Sequence, residues 1–195
     1  RRRCSSGSMC TGETIGAGAV YIYLRNSSNV WPQEARLNGS LNSGFGYSVA
    51  INANGNRTII GTQSENVVHI YLRNASNAWL QEAQLNGSSP ANFGYSISID
   101  AAGKRVIVGA PNENSGIGAL YIYLRNSSNT WTQEVRLNGS SNSYFGTSAS
   151  IDANGNYVIV SAVGENSNTG VAYVYARYAF DAWFQEAYFN GSFGT

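Results

Sequence analysis

The sequence predicts an all-β protein of β-propeller-type repeats, in which four antiparallel strands form one blade of roughly fifty residues. The first observation behind this prediction is the phrase WPQEARLNGS from Trp31, which returns with few changes at Trp79, Trp131 and Trp183. The second is a series of short apolar segments with strand-like alternation, separated by turns rich in Asn and Gly and without helical periodicity. Roughly three and a half blades fit in the 195 residues.

The first strand of a blade is represented by residues 45–51, FGYSVAI, where large side chains alternate with Gly46, Ser48 and Ala50. A period of two is that of a strand, and the small face lets another sheet approach closely. The second strand, TIIG from Thr58, has the β-branched residues typical of strands buried on both faces. The segment NANGN from Asn52 predicts the hairpin turn between them.

The third and fourth strands carry the most regular part of the repeat. The third is AVYIYL from Ala19, and the fourth starts at Trp31, where Gln33, Ala35 and Leu37 are expected to share one face. Because a tryptophan recurs once in each blade at one register, we expect it to pack between blades rather than to stack on a sugar.

These strands divide the chain into one partial and three complete blades. Residues 1–18 form an irregular segment with two cysteines, residues 19–44 a half blade of third and fourth strands, and residues 45–92, 93–144 and 145–191 the complete blades. Residues 192–195 start a further unit or form a C-terminal tail.

The order of the motifs is similar to the FG-GAP repeat, which also builds the propeller of integrin alpha subunits. The relevant residues are the FG-x-S phrase from Phe45, Gly109-Ala110-Pro111, and the Gly-Ala-x-Tyr-x-Tyr run that ends at Tyr123. The resemblance covers residues 17–195 and implies a propeller, usually of seven blades, used for adhesion or as a scaffold. The Gly-Ala-Pro phrase is intact only at Gly109.

Composition excludes several classes of function. The net charge is +1 and only 12% of residues are charged, so the basic face of a nucleic-acid-binding protein is missing. No apolar run reaches the roughly 18 residues of a membrane span. The chain begins with Arg1, which suggests a processed or incomplete N-terminus.

Two features point to the extracellular space or the cell surface. Cys4 and Cys10 are close enough in sequence to close a small disulfide loop, with two free thiols as the alternative. Eight Asn-x-Ser/Thr sequons are candidate N-glycosylation sites, with plain turn chemistry as the alternative: Asn26, Asn38, Asn56, Asn74, Asn86, Asn126, Asn138 and Asn190.

The sequence gives only weak signals for catalytic or metal-binding residues. The glutamates recur in every blade, either after Gln in the fourth strand or in the loop before the third, where we expect them to cap the loop through backbone N–H groups. His69, the only histidine, stands where other blades have tyrosine. The best calcium-like loop offers a single carboxylate, Asp152, and its counterpart at Asp100 ends in Lys104, so we expect no calcium, other metal or cofactor.

We therefore expect a secreted, non-enzymatic structural or adhesive protein, with a lectin-like or integrin-like module that binds a glycan or a protein as the alternative. A chain with an unfilled half blade leaves a strand edge and an apolar sheet face unpaired. This predicts head-to-tail self-association of identical chains into a filament or array, unless the chain is a fragment of a longer propeller.

Overall fold

The computed structural model describes residues 17–62, 64–88, 91–178 and 182–192, and these ranges form an all-β structure. Cys4 and Cys10 lie outside the described residues. The prediction of an all-β chain with four-stranded antiparallel units is confirmed, because three such sheets follow a two-stranded sheet along the chain. In the described ranges, no helix is long and apolar enough to cross a membrane.

Strands that follow one another in sequence are hydrogen-bonded neighbours in every sheet. The two-stranded sheet contains β1 (Ala19–Tyr23) and β2 (Gln33–Asn38). The three larger sheets contain, in order, β3 (Ser48–Ile51), β4 (Arg57–Gly61), β5 (Val67–Arg73) and β6 (Trp79–Asn86); β7 (Ile97–Ile99), β8 (Arg105–Ala110), β9 (Ala119–Arg125) and β10 (Trp131–Asn138); and β11 (Phe145–Ile151), β12 (Tyr157–Ala162), β13 (Val171–Arg177) and β14 (Trp183–Asn190).

Two short helical turns interrupt this pattern, although the sequence shows no helical periodicity. They are α1 (Glu113–Gly116) and α2 (Glu165–Asn168), and both lie between the second and third strands of their sheets. Each contains an Asn and a Ser with positive φ, so they are tight turns rather than regular helices. Their effect is to place a glutamate at the start of each turn.

The sheets stack face to face, and one apolar cluster fills each space between neighbours. Side chains of the second strand alternate between the two clusters: Ile60 contributes to the layer shared with β1 and β2, and Ile59 to the layer on the other side. β4 and β8 are buried along their whole length, as expected for strands covered on both faces. β12, in the last sheet, is exposed at Tyr157 and Ile159.

The sheets approach most closely where the second strand of one meets the start of the next. The Ser48 hydroxyl donates to the Gly94 carbonyl oxygen at 2.6 Å, and the Ser96 hydroxyl donates to that of Gly146 at 2.8 Å. A Cβ at Gly109 would overlap the same Gly146 oxygen. The small face of the first strand therefore permits the close approach that its sequence predicts.

The sequence predicts that side chains of the fourth strand alternate regularly between the two faces of the sheet. This prediction is wrong at one position in every sheet. In β2, Gln33 pairs with Tyr23 and Ala35 pairs with Ile22, so the intervening Glu34 faces no partner residue. The same register shift occurs in β6, β10 and β14. This β-bulge redirects the glutamate side chain toward the neighbouring sheet.

The tryptophans pack between sheets, except for the first. Trp79 and Trp183 are buried, and Trp131 packs against the cluster beside its sheet. Trp31 is 61% exposed and lies before the start of β2, so the expectation is wrong for this residue. It faces the side of the first sheet that no described sheet covers.

Candidate functional site

The connections after the second and fourth strands emerge at the same end of every sheet, because the strands are antiparallel. We call this the loop end; its described residues are 39–47, 62, 64–66, 87–88, 91–96, 111–118, 139–144 and 163–170. The hairpin turns and the third-to-fourth connections lie at the opposite end. Three repeat-related glutamates lie at the loop end: Glu65 is exposed, Glu165 is half-buried and Glu113 is buried.

Glu113 is buried, and its carboxylate forms an ion pair with an arginine. The Tyr121 hydroxyl lies 2.8 and 2.7 Å from its two carboxylate oxygens, and the Arg136 guanidinium donates to it at 2.8 Å. Arg136 also covers the Tyr121 ring, with its guanidinium carbon 5.7 Å from the ring centroid. Arg36 covers the Tyr21 ring in the same way, at 5.6 Å. A carboxylate in this setting is held by charge and is closed to solvent.

Glu165 has a different environment, although it occupies the same place in its repeat. It is half-buried and accepts hydrogen bonds from the Tyr173 hydroxyl and, at 2.7 Å, from the Ser140 hydroxyl of the neighbouring sheet. At the position of Arg136, the last sheet has Tyr188. The hydrogen bond to Glu165 is the largest of the effects that raise the pKa of Tyr173 to about 12, followed by burial, so this phenol stays protonated at neutral pH.

A pocket of about 230 Å³ opens beside Glu165. Its lining includes Glu165, Tyr173, Tyr175 and Gln185 of the last sheet, with Asn138 and Ser140 from the sheet before it. Burial raises the pKa of Tyr175 as well. The pocket therefore presents one carboxylate among hydroxyl and amide groups.

Glu65 is the third copy, and it lies on the surface with Ser40 as its hydrogen-bond donor. His69 replaces the tyrosine here and packs edge-on against Phe45, with ring centroids 5.4 Å apart. Burial lowers the pKa of His69, which keeps the ring neutral at pH 7. All three loop glutamates accept from side-chain hydroxyls, so the expectation that they cap loops through backbone N–H groups is wrong.

A second pocket at the loop end, of about 350 Å³, lies between the first two four-stranded sheets. Tyr47, Thr62, Ser64, Asn92 and Tyr95 line it, so every functional group offered is a hydroxyl or an amide. The Tyr47 and Tyr95 rings are 5.2 Å apart, and their mutual hydrogen bond is the main cause of the raised pKa of Tyr47. This pocket can bind a polar molecule, and none of its described lining residues would serve as a base at neutral pH.

Two of the bulged glutamates of the fourth strands, Glu34 and Glu82, hold neighbouring sheets together. Glu82 pairs with Arg57 of its own sheet and with Arg125 of the next, both at 2.8 Å, and the Trp131 indole N–H lies 3.4 Å from it. Burial acts to raise the pKa of Glu82, but hydrogen bonds and charge from the arginines outweigh it and the pKa is lowered. Glu34 pairs with Arg73 and Trp79 in the same way.

The calcium-like loops use their carboxylates within the turn. Asp152 accepts backbone N–H groups of Asn154, Asn156 and Tyr157 at 2.6–3.1 Å. Burial opposes the ionised form of Asp152, and these bonds outweigh it to lower its pKa. Within the described ranges, no group of three or more His, Cys, Asp or Glu side chains could hold a metal ion.

The sequons lie at both ends of the sheets. Asn26, Asn74 and Asn126 each accept two backbone N–H groups of the loop that follows, which explains an asparagine there by turn geometry alone. The four at the ends of the fourth strands are exposed: Asn38, Asn86, Asn138 and Asn190. Glycosylation at any of the eight, and an extracellular location, stay predictions.

The architecture is similar to that of solved structures with very different sequences. A putative 6-phosphogluconolactonase from Bacteroides uniformis matches with a TM-score of 0.68 and 14% identity, over 90% of this chain and 49% of its own. A protein from Lactobacillus plantarum (TM-score 0.62, 13% identity, 89% and 49%) and a second such enzyme from Bacteroides fragilis (0.62, 13%, 86% and 43%) match as well. No protein-family model and no curated protein matches the chain.

At this identity the likeness shows the fold, and the chain spans about half the length of the structures it matches. None of the three is named for the FG-GAP repeat, so that resemblance stays untested. Two of them are named as enzymes. This corrects the predictions of a non-enzymatic structural or adhesive protein and of a filament, together with the lectin-like or integrin-like alternative.

The error lay in treating residues copied in each blade as identical in role. Glu65, Glu113 and Glu165 share a place in the repeat and differ in burial and in partners. Sequence reasoning missed Tyr173 and Ser140 as partners of Glu165. The signal that could have found them is the replacement of Arg136 by Tyr188 in the last unit, which removes a cation beside the glutamate.

Proposed function

We propose that the sheets are blades of a β-propeller and that its loop end hydrolyses the cyclic ester of a sugar acid. The stacked four-stranded sheets and the likeness to structures named as 6-phosphogluconolactonases support this class of reaction. Since fold alone does not determine function, the choice depends on the site.

The observation that carries the proposal is the setting of Glu165. It is a half-exposed carboxylate at a pocket of about 230 Å³, held by two hydroxyls, whereas its counterpart Glu113 is buried against an arginine. A general base must be within reach of water and not paired with a cation. Glu165 meets these conditions better than Glu113, which is buried and forms an ion pair with Arg136.

The chemistry follows from the groups around the pocket. Glu165 takes a proton from a water molecule, whose oxygen bonds to the lactone carbonyl carbon. The Tyr173 hydroxyl, protonated because its pKa is about 12, donates to Glu165 before the reaction. Once Glu165 has taken the proton from water, this hydroxyl is released from the carboxylate and can donate to the negative charge that develops on the carbonyl oxygen. The ring C–O bond then breaks, the proton passes from Glu165 to the departing oxygen, and the product is the open hydroxy acid. Ser140 and Gln185 are placed to bind the hydroxyls of the sugar.

The test is acid release from two aldonic acid δ-lactones, one with and one without a 6-phosphate, followed by pH-stat and corrected for spontaneous hydrolysis. We expect turnover of at least one of them. Glu165→Gln should reduce it by roughly a hundredfold or more, the range for loss of a general base. Tyr173→Phe should lower kcat more than it changes KM.

Glu65→Gln is the matched control, because Glu65 has the same place in its repeat but lies outside the pocket. Its activity should equal that of the unchanged protein. A rate equal to spontaneous hydrolysis on both lactones would contradict the proposed function. Equal activity of Glu165→Gln and Glu65→Gln would leave lactone hydrolysis in place but remove Glu165 as the base.

A further inference from the structure

We propose that the two end faces of the stacked sheets bind each other in a closed pair of chains, the last sheet of each copy docking on the first sheet of the other. The first face is formed by Tyr21, Tyr23, Arg25 and Trp31, and the last face by Tyr157, Ile159 and Glu186. Each face carries one half of a contact that the internal sheets make with each other.

The internal contact serves as the template. The bulged Glu82 of one sheet accepts from Arg125, at the end of the third strand of the next sheet, and from the Trp131 indole at the start of its fourth strand. Glu34 makes the same pair of contacts with Arg73 and Trp79. At these two interfaces, a glutamate on one sheet therefore recognises an arginine and a tryptophan on the sheet that follows. At the interface of the last two sheets, Glu134 pairs with Arg105 of its own sheet, and the Trp183 indole N–H has no hydrogen-bond partner among the described residues.

The first face offers the arginine and the tryptophan. Arg25 and Trp31 occupy the positions of Arg73 and Trp79, and both are exposed. Tyr21 and Tyr23 are also exposed, whereas their counterparts Tyr121 and Tyr123 are partly buried and buried, respectively, against the preceding sheet. This face thus displays an aromatic surface with a cation beside it.

The last face offers the glutamate and an apolar seat. Glu186 is exposed at the position of Glu82. Ile159 is 46% exposed, although Ile59 and Ile107, at the same place in their sheets, are fully buried. A depression of about 170 Å³ beside Ile159 is lined mainly by apolar surface, including Ala149 and Ala172, and is suited to an aromatic side chain.

One residue of the last sheet selects the kind of sheet that can dock. Gly61 and Gly109 face the carbonyl oxygens of Gly94 and Gly146, which precede the first strand of the next sheet. At this place the last sheet has Ser161, whose Cβ would overlap such a carbonyl. The described part of the first sheet consists of third- and fourth-strand equivalents and presents no carbonyl of that kind, so its β1 and β2 can dock on the last sheet without meeting Ser161 in this way.

Head-to-tail contact closes when each of two copies supplies one face of each kind. The chain aligns with 49% of the length of its Bacteroides uniformis neighbour, so two copies contain about as many residues as that protein. Opposite charges on the two faces, Arg25 and Glu186, set the orientation of the pair.

The test is the molar mass of the chain in solution at micromolar concentration, measured by light scattering coupled to size exclusion. We expect twice the 20.9 kDa of one chain. Arg25→Glu and Glu186→Arg should each produce a single chain, because like charges then face each other. The double variant should restore the pair, and Lys104→Glu, a charge reversal on the exposed hairpin turn, should leave it unchanged. Circular dichroism checks that every variant is folded.

A single chain of 20.9 kDa for the unchanged protein would overturn the proposal and leave the end faces to another partner. An assembly larger than a pair, or a pair that survives both single charge reversals, would overturn it as well. None of these measurements depends on lactone hydrolysis, so the two proposals fail separately.

Discussion

At the scale of single residues, the same glutamate repeat supports two different tasks. In the bulge of the fourth strand, Glu34 and Glu82 pair with arginine and tryptophan side chains and tie neighbouring sheets together. Those at the loop end have partners that differ from unit to unit. A glutamate that recurs at the same register of the repeat therefore has a predictable position in its sheet. Its chemical role depends on the neighbouring side chains, which differ from unit to unit.

Replacing Glu82 by Gln should lower the free energy of unfolding by about 3 kcal/mol, because it leaves the buried Arg57 and the partly buried Arg125 without their shared carboxylate. Denaturant unfolding measures the loss. Glu65→Gln, a surface change, should stay within about 0.5 kcal/mol. Equal effects of the two substitutions would show that the Glu82 network contributes nothing to stability.

The same ion pairs give the fold a dependence on acid. The pKa values of Glu34 and Glu82 lie below their ordinary value of 4.5, for Glu34 chiefly through its hydrogen bond with Arg73. A lowered pKa in the folded state stabilises the fold above the unfolded pKa, and this contribution disappears as pH falls through the folded pKa. The contribution of these two glutamates should thus be level from pH 7 to about 5 and decline below about 4.5. His69, whose pKa burial lowers, should add a separate loss of stability that begins as pH falls below its unfolded pKa of about 6.5.

Chemical unfolding at a series of pH values between 7 and 3 measures this profile. Glu82→Gln should show a shallower decline than the unchanged protein, since it lacks one of the titrating groups. A decline of the same steepness in both proteins would assign the acid sensitivity to other carboxyl groups, such as Asp152.

At the scale of strands and sheets, the sequence predicts strands well and their details less well. Alternation of large and small residues in segments such as residues 45–51 is the pattern of an extended β-strand. The bulge at Glu34 could not be read in this way, because one inserted residue shifts the pattern without breaking it. The exposure of Trp31 depends on a missing neighbouring sheet, which no local pattern reports.

The site was harder to predict than the strands. Glu165 could be named from the sequence, but its base-like setting depends on Tyr173 across its own sheet and on Ser140 from the neighbouring one. Such contacts join residues that are 8 and 25 positions apart in sequence. Their chemistry follows from packing, which periodicity does not describe.

The close approach of sheets predicts the effect of a single methyl group. Gly109→Ala should destabilise the protein by about 1–3 kcal/mol, because the new Cβ would overlap the Gly146 carbonyl and force the two sheets apart. Thermal or denaturant unfolding measures the change. Ser161→Ala, at the same register of the last sheet, is the control and should be nearly neutral. A neutral Gly109→Ala would mean that the sheets can separate at no cost.

At the scale of the whole molecule, each sheet packs only on its neighbours in sequence, as the three separate apolar clusters show. In such a stack, stability is roughly the sum of terms for each unit and each interface. The sheets of β3–β6 and β7–β10 have two interfaces each, and the sheet of β11–β14 has one in a single chain. Protection should therefore be greatest in the middle.

Hydrogen exchange of the second strands tests this directly, because β8 and β12 have hydrogen-bonded strands on both sides and differ in face coverage. In the Glu186→Arg protein, where we expect single chains, amides of β12 should exchange faster than those of β8, since Ile159 is open to solvent and Ile107 is not. Mass spectrometry of the peptides that contain residues 105–110 and 157–162 measures both. Pairing of the unchanged protein should slow exchange in β12 and leave β8 as it was. Equal exchange of the two strands in the single chain would show that all sheets open together, and would contradict a stack of separable units.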